Sequence, residues 1–161
     1  MRIMKPQIEA APPMSPYDIT AYSPDNRQVL IVEVKSGKDS DPQQLERVRQ
    51  ALMSVIEAQS VQFFVLAQRN GLFLWKKGAS TGTDAEFAPV KGLLREYAAS
   101  LPDQEEIIRK PGLEMVIHAW LDDLALGIRQ PKPDSEADQL LVKTGIYDQI
   151  RQGRVVMESR P

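Results

Sequence analysis

Cysteine is absent from the 161 residues, and histidine occurs once, at His118. Those two shortages exclude disulfides and leave no thiolate or imidazole cluster for zinc, and they fit a reducing compartment such as the cytoplasm. Long apolar runs are also missing. No stretch has the length of a membrane helix, and residues 1–16 are broken by prolines where a signal peptide needs an apolar centre, so a cytoplasmic protein with no membrane partner is expected. Neither sign of charge dominates: 20 Lys and Arg stand against 22 Asp and Glu, a net charge of −2. Bulk charge therefore does not steer the molecule toward nucleic acid, and any such contact must rest on a local patch. Candidates are Lys35, Lys38, Arg47, Arg49, Lys76 and Lys77, each of which also reads as ordinary solvated charge. Repeats and low-complexity tracts are lacking too, which excludes a solenoid or coiled coil.

What is present is enough apolar residue, 42% of the chain, to fill one compact core at this length. The segment YDITAY at 17–22 reads as a strand, SPDN as a turn and RQVLIVEVK at 27–35 as a second strand, so the two form a hairpin. Asp41 and Pro42 then supply an N-cap and first turn for a helix running to about Ala58, with Leu45, Val48, Leu52, Val55 and Ile56 on its inner stripe. VQFFVLA at 61–67 has the continuous apolar character of a covered strand, expected parallel to the second strand through the helical crossover. Residues 68–71 read as a tight turn into a further strand, LFLWKK, whose Phe73 and Trp75, with Phe64, are core material rather than a base-stacking platform. The loop 78–84 has too few glycines for a phosphate loop. The pattern predicts an α/β fold: a mixed central sheet of order strand, strand, helix, strand, strand, flanked by helices.

The hairpin carries the chemistry. Period-two alternation sets Val29, Ile31, Glu33 and Lys35 on one face of the second strand and Leu30, Val32 and Val34 on the other, while the turn returns Asp18 toward Glu33. Two carboxylates and an ammonium are what phosphodiester hydrolysis requires, namely hard oxygen ligands for Mg²⁺ or Mn²⁺ and positive charge near the phosphoryl oxygens. The plain alternative is an ion pair on a half-exposed strand.

Asp18, the turn and Glu33-Val34-Lys35 resemble the core of the PD-(D/E)xK, restriction-endonuclease-like superfamily of nucleases, over 17–75. The resemblance implies that Asp18 and Glu33 hold Mg²⁺ with the Val34 carbonyl, that Lys35 orients or deprotonates the attacking water, and that DNA is the substrate. It also implies accessory positions: Glu9, the only acidic residue before Asp18, and a glutamine on the following helix, Gln44 or Gln50, both of which also read as solvated. A homodimer or a larger nuclease or helicase complex is the corresponding assembly. A catalytically weak module on the same fold, serving nucleic-acid binding or protein assembly, is the alternative.

The second half reads as helical. Residues 90–101 set Leu93, Leu94 and Tyr97 inward, and a helical region follows over 103–127, interrupted at Lys110-Pro111-Gly112. Its apolar face of Leu113, Val116, Ile117, Trp120, Leu121 and Leu124 either packs on the core or meets a partner. His118, between Glu114 and Asp122, reads as structural. After a Pro/Asp/Ser-rich break at 130–138, Leu140, Leu141, Ile146, Ile150, Val155 and Val156 are expected to cover the core with a short helix and a last strand. The organisation expected is an N-terminal arm (1–16), a nuclease-like core (17–101) and a helical extension (102–161) packed on the same domain.

Overall fold

A computed structural model describes residues 18–35, 41–56, 61–78, 84–97 and 110–157. The arm at 1–16 with Glu9, Lys38, most of the 78–84 loop and the segment 98–109 lie outside the described residues. The hairpin is formed by β1 (Ile19–Tyr22) and β2 (Gln28–Val34). Helix α1 (Pro42–Ile56) leads to β3 (Phe63–Gln68), β4 (Gly71–Lys76) and the short β5 (Glu86–Ala88). Helices α2 (Lys91–Tyr97), α3 (Lys110–Leu126), α4 (Glu136–Lys143) and α5 (Ile146–Ile150) then precede β6 (Arg154–Met157). The sheet order is β5-β4-β3-β2-β1-β6, with β2 and β3 parallel and every other pair antiparallel. The mixed sheet flanked by helices is thus as the sequence implies, and the last strand closes on β1 rather than on the far edge.

Each face of the sheet has its own apolar layer. On one side Ile31, Phe64, Leu66 and Trp75 meet Leu45, Leu52 and Met53 of α1, with the Phe64 and Trp75 rings stacked at 5.2 Å. Those aromatics are core, as their residue type suggests. On the other side Leu30, Val32, Val34, Val65 and Leu74 meet Leu93 of α2, the whole apolar face of α3, and Leu140, Leu141, Ile146 and Ile150. Burying each such large side chain contributes about 1.5–3 kcal/mol, so the α3 face belongs to the core and is not left for a partner.

One local reading is corrected. Val29 packs with Leu30 and Val32, not with Ile31, because the β1/β2 register shifts between Ala21 and Tyr22 and the extra residue on β2 breaks the alternation. Lys110, Pro111 and Gly112 are the first described residues of α3, and the residues before them, on which the expected interruption turns, lie outside the described residues. The N-cap at Asp41 is as expected, with its Oδ1 accepting from the Gln44 N–H at 2.8 Å. Gly153 is required at the entry to β6. A Cβ there would stand 1.8 Å from the Tyr22 carbonyl oxygen.

A buried charge network joins the helices. Arg129 donates to both oxygens of Asp138, at 3.1 Å and 2.9 Å to Oδ2, and to Glu96 at 2.7 Å; Asp138 also accepts from Trp120 Nε1 at 2.7 Å and from the Lys132 N–H at 2.9 Å. Arg129 and Lys132 hold the Glu96 carboxyl down to about 2, through the Arg129 hydrogen bond first. A depressed folded-state pKa gives a stabilising contribution that is complete above the ordinary value of 4.5 and lost as pH falls toward 2. The melting temperature of the wild type is therefore expected to fall faster than that of Glu96→Gln over that window, as thermal denaturation at stepped pH would read. His118 Nε2 lies 3.2 Å from the Val155 carbonyl oxygen and ties α3 to β6, the structural role its sequence position suggested.

Candidate functional site

The carboxylates gather at one end of the sheet because β1 and β2 run antiparallel. Ile19 pairs with Val32 and Thr20 with Ile31, and Asp18, just before β1, hydrogen-bonds Val32 and Val34, the two neighbours of Glu33. Asp18 is 2% exposed. Its N–H donates to the Val32 carbonyl at 2.9 Å, and its Oδ2 accepts from the Val34 N–H at 2.7 Å.

Strand geometry explains that second bond. Lys35 donates its N–H to the Ala67 carbonyl of β3 at 3.0 Å, so main-chain groups alternate and those of Val34 turn toward β1. Among the described residues β1 has no further paired member there, and the Asp18 side chain takes the place of a strand carbonyl. The Val34 carbonyl points the same way as its N–H, toward the Asp18 side. Glu33 is half-buried on the α1 face, with its Oε1 enclosed. Lys35 follows β2 directly and is exposed. Asp18, Glu33, Val34 and Lys35 thus come together within one strand end.

The remaining sequence candidates stand apart. Gln44 and Gln50 are exposed on α1, and Gln50 donates to Glu46 at 2.9 Å. Arg49 also pairs with Glu46, and Arg47 is exposed. Lys76 pairs with Phe63 at the start of β3, and the Lys77 N–H bonds the Gln62 carbonyl, so both lysines sit at the opposite end of the sheet from Glu33. They cannot contribute to a basic patch beside Lys35. Among the described residues no group of three or more His, Cys, Asp or Glu is arranged to hold a metal ion.

One neighbour was missed by sequence reading. Gln68 was assigned to the turn, yet it is the last residue of β3, 3% exposed, and the turn proper is Arg69 and Asn70. Alternation from Phe64 and Leu66 was the available signal. A cavity of about 320 Å³ does exist, lined by Glu96, Lys132 and Ser135 among others, but it lies between α2 and the loop before α4, among the helices on the other side of the sheet from α1.

No family model, curated protein or solved structure matches the chain. The chemistry of the site therefore rests on its own residues. No described helix is long and apolar enough to cross a membrane.

Proposed function

We propose that this chain is a metal-dependent nuclease of the restriction-endonuclease-like type, hydrolysing phosphodiesters of DNA through Asp18, Glu33 and Lys35. The observation that supports the reading is the bond from the Val34 N–H to Asp18 Oδ2, which holds an aspartate distant in sequence against the strand end that carries Glu33 and Lys35. The order hairpin, α1, parallel β3, antiparallel β4 is the core that such a site uses. Asp18, Glu33 and the Val34 carbonyl are hard oxygen donors and suit Mg²⁺ or Mn²⁺, ions that retain several waters and need few protein ligands. When bound, such an ion supplies charge to a phosphoryl oxygen and acidifies water.

The chain's own groups do the rest. Asp18 is held by the Val34 N–H through Oδ2, which fixes its carboxylate at the strand end. Lys35, in solvent, orients the attacking water and offsets the charge that grows on the phosphoryl group as the new P–O bond forms, the old one breaks and the leaving oxygen takes a proton. A duplex presents two strands, so a second copy or a helicase partner would complete a double-strand reaction.

The test is cleavage of labelled duplex, nicked, branched and single-stranded DNA, and RNA, with Mg²⁺ or Mn²⁺. Wild-type cleavage that disappears in EDTA and in Glu33→Ala is the expected result, with a loss of at least about 100-fold, the scale for removing one transition-state contact. Lys35→Ala is expected to keep metal binding, read by calorimetry, while slowing the chemical step. A second reading is favoured by one specific observation: capping of Val34 already gives Asp18 a structural duty. On that reading the chain is a nuclease-like module for nucleic-acid binding or assembly, and the panel would yield binding without metal-dependent cleavage.

A further inference from the structure

A net charge of −2 means that a nucleic-acid substrate has to be held by particular cations near the site. Most arginines of the described residues are already engaged: Arg27 with Asp25, Arg49 with Glu46, Arg129 with Asp138 and Glu96, and Arg151 and Arg154 over the rings of Tyr147 and Tyr22. Arg69 differs. It is exposed, and its side chain makes no hydrogen bond, ion pair or ring contact with another described residue.

The parallel register puts that cation at the end of the sheet where the site lies. Val34 pairs with Ala67, and the Lys35 N–H bonds the Ala67 carbonyl, so β2 and β3 leave the sheet side by side. Gln68 pairs with Gly71 across a turn of only two residues, Arg69 and Asn70, which fixes where the turn stands. Asn70 is half-buried with its Oδ1 enclosed, so Arg69 is the outward member of the turn. Arg69 follows Ala67 by two residues, a span of at most ~7 Å, on the strand next to the one that carries Glu33 and Lys35.

We infer that Arg69 is a substrate-binding residue of the proposed site, gripping a backbone phosphate about two nucleotides from the scissile bond, since successive phosphates of one strand advance ~3.4 Å along a duplex. The inference rests on the nuclease reading above. Arginine suits the task because its planar guanidinium meets a phosphate through two parallel N–H bonds and stays charged at every working pH. Its place beyond the strand end leaves the chemical step to the other residues. Arg69 holds the strand while Asp18, Glu33 and Lys35 act on the bond. Such a contact fixes position and carries no sequence information.

Fluorescence anisotropy of the labelled DNA that the wild type cleaves best, with Ca²⁺ in place of Mg²⁺ and salt stepped upward, tests the assignment. Arg69→Ala is expected to weaken binding about tenfold at low salt and to flatten the plot of log affinity against log salt by about 0.9 on a duplex, or about 0.7 on a single strand, the share of one phosphate contact. Its melting temperature should not change. Arg69→Lys is expected to restore the slope and part of the affinity, because it keeps the charge and loses the paired bonds. In turnover with Mg²⁺, Arg69→Ala should raise KM and leave kcat near the wild-type value, whereas Lys35→Ala lowers kcat. A purely structural arginine would move the melting temperature and not the salt slope. Should Arg69→Ala fail to fold, Arg69→Gln is read in the same way. Wild-type cleavage that needs Glu33, together with unchanged affinity and slope in the folded variant, overturns the role of Arg69 and leaves the nuclease reading intact. Absence of wild-type cleavage on every substrate overturns both.

Discussion

Arg129→Ala is expected to destabilise the fold by about 3–5 kcal/mol, the usual cost of removing one partner from a buried ion pair. The Asp138 side chain has no exposure and that of Arg129 only 7%, so the carboxylate left behind cannot be rescued by water. The loss extends further than the pair, since Glu96 of α2 would also lose its bonds to Arg129. Urea denaturation of the variant gives the figure directly, and a loss below about 1 kcal/mol, the scale of an exposed ion pair, would show that the network contributes little. Replacing both partners by apolar residues recovers part of the loss at most. Asp138 also accepts from Trp120 and from the Lys132 main chain, and those donors would then be buried without acceptors.

Asp18 gives the second large effect, and here two substitutions separate two duties. Asp18→Ala is expected to abolish metal-dependent cleavage and also to cost about 1–3 kcal/mol, because the Val34 N–H is left buried without an acceptor. Asp18→Asn keeps an amide oxygen for that N–H. Its melting temperature should stay near the wild-type value while cleavage is lost, since the neutral amide is a far weaker ligand for a hard cation. Full cleavage by folded Asp18→Asn would remove Asp18 from the metal site and leave it as a strand cap.

The elements around the site were legible for physical reasons. Alternation over 30–34, the Asp41-Pro42 cap and the unbroken apolar run from Phe63 each report a local rule that tertiary structure had no cause to override. Where a rule depends on the neighbouring strand, the reading slipped. The bulge that turns Val29 to the other face depends on a mismatch between β1 and β2, and neither segment announces it. Lys76 and Lys77 were candidates for a basic patch until the antiparallel β3/β4 pairing carried them to the far end from Lys35. Arg129 and Asp138 lay in a stretch whose Pro, Asp and Ser content reads as a solvated break. Their burial follows only from the docking of α2, α3 and α4 on one another, and Gln68 likewise became visible as a site neighbour only once β3 was placed beside β2.

The partner of β1 on its outer side is β6, which pairs Ile19 with Met157 and Ala21 with Val155. During synthesis β2, α1 and β3 can associate early, but the strand that follows Asp18 is held along both edges only after residue 157 has left the ribosome. A nascent chain would thus carry Asp18, Glu33 and Lys35 on a hairpin whose outer edge is still open. The edge of β1 beside the proposed site would close last, when β6 docks.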